Sequence, residues 1–148
     1  MLNIYLDTCC FNRPYDDQSL MRNSLEAQAV SHIQSLIQTR HFLLATSYIL
    51  LFENSKNPYA LRKVAIENYI RKYSSIYIGI EYQTTVSENA YEIMKSGLKK
   101  QDAYHIACAM LAGCGYFLST DDRVLKYFPV DMKIVNPVDF LRMEVERQ

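Results

Sequence analysis

The chain has 148 residues, 49% hydrophobic and 22% charged, with 16 Lys and Arg against 16 Asp and Glu. Zero formal charge excludes the plain signature of a nucleic-acid-binding domain, a large basic excess, while leaving room for a basic surface around a cluster of acids. Four Gly and four Pro exclude collagen-like and linker-rich chains, and the apolar content excludes disorder.

Residues 2–6 form a short apolar run that reads as a buried strand ending at Asp7. Residues 8–19, with Asn12, Pro14 and two aspartates, read as a loop. Ser19 or Asn23 then caps a helix to about Gln38, with Ala29, Ile33, Leu36 and Ile37 on its buried side. Residues 42–45 predict a second strand, and Thr46 or Ser47 caps a helix through about Asn54. Pro58 suits the first turn of another helix, in which Leu61, Val64, Ala65 and Asn68 recur at helical spacing.

Residues 76–80 predict a strand, and residues 85–96 a helix with Gly97 as its stop. The clearest helix runs from about Lys100 to Cys114, with Ala103, Ile106, Ala107, Met110, Leu111 and Cys114 in one stripe and Gly115 at its end. A buried strand at 116–119, a short helix at 121–127, a strand at 133–135 and a closing helix opened by Pro137 complete the chain. Strands separated by helices predict one α/β domain over residues 1–148, with a mainly parallel sheet covered on both faces. Sites in such sheets form just beyond the carboxyl ends of the strands.

Asp7 follows Met1 so closely that no secretory leader is expected. The apolar runs fall short of the roughly 18 residues of a membrane span. A cytoplasmic protein is expected, with Cys9, Cys10, Cys108 and Cys114 as reduced core thiols.

Four acids stand out. Asp7 ends the first strand, where a turn-forming role competes with a site role. Glu53 interrupts an apolar helix near its C-terminal end, where the helix dipole disfavours a carboxylate by roughly 0.3–1 kcal/mol. Asp102 opens the strongest helix, with His105 one turn on as either a core-edge residue or a flank of the same site. Asp121 and Asp122 follow a strand, and one of Thr120, Asp121 and Asp122 must cap the next helix. Carboxylates gathered in one cleft repel unless protonated or bound to a cation, and an all-oxygen donor set suits Mg²⁺ or Mn²⁺.

The ordered set Leu6-Asp7-Thr8, Glu53, Asp102-Ala103-Tyr104-His105-Ile106-Ala107-Cys108-Ala109 and Leu118-Ser119-Thr120-Asp121-Asp122 resembles the PIN domain family, which includes the ribonuclease toxins of VapBC toxin–antitoxin pairs. The resemblance spans residues 2–141. It implies a three-layer α/β/α sandwich, a pocket for Mg²⁺ or Mn²⁺, hydrolysis of RNA, an antitoxin partner and a homodimer. Asp7, Glu53, Asp102 and Asp122 match the family's acids, Asp122 being chosen over Asp121 because it lies two residues after Thr120. Thr120 matches the supporting hydroxyl residue. Setting those four acids aside leaves a scaffold with four more bases than acids. Cys9-Cys10 and the loop that follows depart from the commonest toxin sequence.

A phosphatase of the haloacid-dehalogenase type also begins with a strand-end aspartate, but needs a second one where Cys9 stands. The main alternative is a PIN-like fold that binds RNA or protein without cutting; the complete set of acids argues against it. Arg13, Lys56, Lys100 and Arg123, adjacent in sequence to the motifs, are the candidates to meet RNA phosphates. The twelve tyrosines offer stacking surfaces, core edges and a subunit interface.

Overall fold

The computed structural model describes residues 1–146; the last two residues of the expected domain, 147 and 148, lie outside them. Five strands, β1 (Asn3–Leu6), β2 (Leu43–Ser47), β3 (Ser74–Ile78), β4 (Tyr116–Leu118) and β5 (Lys133–Val135), form one sheet in the order β3-β2-β1-β4-β5. Every pairing is parallel, with Tyr5 opposite Ala45 on one side and Phe117 on the other. Among the described residues, eight α-helices connect and cover them: α1 (Thr8–Asn12), α2 (Met21–Gln38), α3 (Tyr48–Ser55), α4 (Ala60–Tyr73), α5 (Gln83–Met94), α6 (Lys100–Leu111), α7 (Asp122–Leu125) and α8 (Pro137–Glu144). This is the expected α/β/α architecture.

The side-chain alternation of a strand divides the core into two layers. Tyr5, Ala45, Phe117 and Ile134 pack against α5 and α6. Ile4, Leu6, Leu44, Tyr116 and Leu118 face the other way, onto α1, α2, α3, α4 and α8. Ile4, Tyr5 and Leu6 are fully buried, as a central strand covered on both faces requires. Asp7, two residues beyond Tyr5, therefore continues toward the α6 side.

Three local readings change. The segment after Asp7 is helical, because the Asp7 side chain accepts a hydrogen bond from the Thr8 amide and caps α1. Helix α4 starts after Pro58, with Tyr59 at its N-cap, and buries Ile66 and Ile70 rather than Leu61 and Val64, which are exposed. Helix α6 stops at Leu111; Gly113 takes the left-handed turn that follows (φ 73°). Gly115 serves a close approach instead, since a Cβ there would meet Leu2 Cδ1 at 2.6 Å.

Helix α6 is buried on most of its circumference, and Ala103 and Ala107 let it sit close to the sheet. Burying a side chain the size of Ile106 stabilises by about 2 kcal/mol. No helix among the described residues is long and apolar enough to cross a membrane.

Candidate active site

The carboxyl ends of β1, β2 and β4 lie side by side, so the residues that follow them meet. Asp7 follows β1 and is 6% exposed. Its Oδ1 accepts from the Thr8 amide (2.9 Å) and its Oδ2 from the Ser119 hydroxyl (3.0 Å). Ser119 is fully buried, and its Oγ in turn accepts from the Asp121 amide. Ser119 thus ties the strand that carries Asp7 to the turn that carries Asp121.

Glu53 reaches the same place from α3, which Ser47 caps through the Leu50 amide (3.1 Å). Its Oε1 lies 3.1 Å from Nε2 of His105, which is 1% exposed. Asp7, Glu53 and His105 each bring a ligand atom within 4.8 Å of the others. His105, the core-edge or site-flanking residue of the sequence, is both buried and part of the cluster.

Asp102 stands in the first turn of α6, one turn before His105. Burial, then the negative charges of Asp7 and Asp121, push its carboxyl above the usual range. Burial raises the Asp7 carboxyl too, against the opposing pull of His105 and Ser119. Burial also works against ionised Glu53, but the hydrogen bond and charge of His105 outweigh it and hold that carboxyl below its ordinary value. The imidazole is raised in return: burial lowers it, while Glu53, Asp7 and Asp102 more than compensate.

The structure does not bring Asp122 into this cluster. Its side chain is 67% exposed, and both carboxylate oxygens bind Arg22, at 2.9 and 3.0 Å, which holds the group below its ordinary value. Asp121, which caps α7 through the Arg123 amide, is the acid of this turn that Asp102 feels. The hydroxyl that reaches Asp7 likewise belongs to Ser119, not Thr120, whose Oγ1 accepts from Arg13. Counting two residues from Thr120 gives Asp122; counting two from Ser119 gives Asp121, and the hydrogen bonds follow the second register.

The four candidate phosphate contacts differ. Arg13 is committed inside the protein, its guanidinium meeting Glu26, Asp16, Asn23 and Thr120. Lys56 lies over the Phe52 ring and lines a recess of about 290 Å³ that opens beside Glu53, with Thr8, Asn12, Tyr59 and Arg62. Lys100 lies over Tyr104 at the start of α6. Arg123 is 65% exposed, with Nε 3.5 Å from Asp121 Oδ1. All four cysteines are free thiols; Cys9 sits at the cluster, its Sγ 3.6 Å from Asp7 Oδ2 and 3.5 Å from Ser119 Oγ.

Carboxyl groups raised by burial and by one another, hydroxyls turned toward them and a position at the carboxyl edge of a parallel sheet define an α/β domain with an acidic centre. Its oxygen-rich donor set fits a hard divalent cation, whose charge would offset the repulsion. The PIN domain family model matches residues 4–128, and the chain belongs to that family. Its fold is similar to that of VapBC2 from Rickettsia felis bound to a DNA fragment from their promoter, at 12% identity and a TM-score of 0.56 over 91% of this chain and 98% of that one. FitAcB from Neisseria gonorrhoeae aligns at 18% identity and a TM-score of 0.55, over 90% of this chain and 97% of that one. VapC20 of Mycobacterium tuberculosis, a toxin that cleaves the sarcin-ricin loop, aligns at 16% and 0.53, over 88% and 98%. No curated protein matches the chain significantly.

Proposed function

We propose that this chain is a divalent-cation-dependent ribonuclease that hydrolyses phosphodiester bonds of RNA in the cytoplasm, as the toxin of a type II toxin–antitoxin pair. The observation that carries the reading is the convergence of Asp7, Glu53 and His105 within 4.8 Å at the carboxyl edge of a PIN-family sheet, with Asp102 near enough to feel the charges of Asp7 and Glu53. Asp7 and Asp102 are the residues to hold the cation, as the family resemblance implies; burial raises both carboxyls, and a bound cation would offset that cost. Glu53 and Asp121 complete the donor set, directly or through water. A bound Mg²⁺ or Mn²⁺ would supply charge against the phosphate and lower the pKa of water.

The protein's own contribution is orientation. His105 engages Glu53 Oε1 and Ser119 engages Asp7 Oδ2, so both carboxylates are aimed before substrate arrives. Lys56 and Tyr59 line the recess beside Glu53, which supports roles for them in meeting a flanking phosphate and an unpaired base. Exposed Phe52, Tyr59, Leu61 and Val64 on and between α3 and α4 have the composition of a covered surface. They support a small antitoxin partner there; a homodimer is the working form in this reading.

Incubation of the purified protein with unstructured and structured RNA, with Mg²⁺, with Mn²⁺ or with EDTA, tests the proposal. Cleavage of the unstructured RNA that needs either ion and is lost in Asp102→Asn is expected. Cleavage that survives EDTA or Asp102→Asn refutes it. RNA binding without cleavage in any metal makes the chain a binding module.

A further inference from the structure

Behind the acids lies a second, fully buried polar layer that the reaction itself does not touch. The Tyr5 hydroxyl lies 2.7 Å from Ser47 Oγ and 2.7 Å from His105 Nδ1, and the other ring nitrogen of His105 meets Glu53. Tyr5 and Ser47 are 0% exposed and His105 is 1% exposed. Each member is joined along the chain to an acid. Tyr5 on β1 precedes Asp7 by two, Ser47 at the end of β2 caps the helix of Glu53, and His105 follows Asp102 by one turn on α6. The Tyr5 ring is fixed by stacking on Phe117 at 5.3 Å and by an edge contact with His105.

The hydrogens of this chain can be assigned. Ser47 Oγ accepts from the Leu50 amide and has Cys108 as a further neighbour, and in one pattern its own hydrogen goes to Tyr5. The phenol hydrogen then goes to Nδ1, which leaves the hydrogen of a neutral ring on Nε2, facing Glu53. In a charged ring Nδ1 donates to the phenol and the phenol to Ser47, and Nε2 again carries a hydrogen toward Glu53. Both patterns give Glu53 a donor, so the arrangement does not depend on the charge of the ring. The third pattern, a bare Nε2 lone pair against a carboxylate, is repulsive.

We infer that the Ser47–Tyr5–His105 chain is a positioning device that fixes the Glu53 carboxylate and, through it, the cation site, with His105 as its principal positioning residue. The inference rests on the cation-dependent reading above. A buried group that orients a ligating side chain typically contributes 10–100-fold in metal affinity. With His105 1% exposed, RNA does not reach it, so its loss acts on the cation and on turnover rather than on RNA binding.

The test measures Mn²⁺ binding to the protein without RNA, by calorimetry, in wild type, His105→Leu, His105→Gln and Tyr5→Phe, with circular dichroism confirming folding. Leu fills the space with no donor, whereas Gln returns an N–H toward Glu53. His105→Leu is expected to weaken Mn²⁺ binding at least about tenfold, with kcat lowered and KM for RNA unchanged. His105→Gln is expected to recover most of the loss. Tyr5→Phe, one oxygen smaller, is expected to weaken Mn²⁺ about threefold or more and serves as the deciding variant if Leu does not fold. Leu binding Mn²⁺ as tightly as wild type, Gln and Leu losing equally, or an unchanged Tyr5→Phe overturns the inference. Wild type that binds Mn²⁺ but never cleaves RNA refutes the nuclease reading while the affinity comparison still decides this one.

Discussion

Glu26 of α2 makes the sharpest stability prediction. Its side chain is 3% exposed and lies between Arg13 (Nε to Oε1, 3.0 Å) and Arg22 (Nε to Oε2, 3.1 Å). Asn136, the N-cap of α8, donates to the same carboxylate. The two arginines extend to Thr120 and Asp122, so one buried charge joins α2, the loop after α1, the turn after β4 and the start of α8. Removing one partner of a buried ion pair costs about 3–5 kcal/mol, because the other charge is stranded. Arg22 is half exposed and turns to water, and Arg13, 17% exposed, keeps its ion pair with Asp16. The lower end applies, about 3 kcal/mol for Glu26→Ala. For a domain of this size that is a fall in Tm of about 6–12 °C. Thermal and urea unfolding of Glu26→Ala, Arg13→Ala and the double variant measure it. The double variant should be little worse than Glu26→Ala alone, because both singles break the same pair. A loss below about 1 kcal/mol, or simple additivity, refutes the reasoning.

Two further predictions separate neighbouring groups. Asp121→Asn should lower kcat/KM on unstructured RNA by about 10–100-fold, whereas Asp122→Asn, whose partner is Arg22, should stay within about threefold; the reverse ranking would return the role to Asp122. Burial pushes the Cys108 thiol up to about 11 and that of Cys114 to about 12. At pH 8 both should therefore resist iodoacetamide in the folded chain and react only on unfolding, which mass spectrometry reads out. These folded values lie above the ordinary thiol value of about 8.5, so the native state holds the protons more tightly. The contribution of the two thiols to stability is complete below pH 8.5 or so and is lost progressively toward pH 11–12. Rapid labelling of the native chain at pH 8 contradicts this.

The parallel sheet was readable because β4 is an unbroken apolar run, β1 is apolar after Asn3, and α6 carries its stripe of Ala and Ile at helical spacing. Asp7, Glu53 and Asp102 were readable as candidates because acids at a strand end, in an apolar helix and at a helix start break or mark those patterns. Helix α1 was not, since five residues are too few to show a period and its cap, Asp7, also reads as a candidate site residue. The choice between Asp121 and Asp122 rests on Ser119 reaching Asp7 across 112 residues and Arg22 reaching Asp122 across 100, separations no local pattern encodes. His105 was ambiguous for the same reason: its partners Tyr5 and Glu53 lie 100 and 52 residues away.

The central claim is that these acids form one cation site, and a Mn²⁺ titration of melting temperature tests it most directly. Without metal, Asp7→Asn should melt at or above wild type, because Asn keeps the acceptor for the Thr8 amide while removing a charge that burial disfavours. At a Mn²⁺ concentration of about 100 Kd, wild type should gain about 2.7 kcal/mol, a rise of roughly 5–11 °C, and Asp7→Asn should gain little. Equal rises in the two proteins, or none in wild type, would contradict the account.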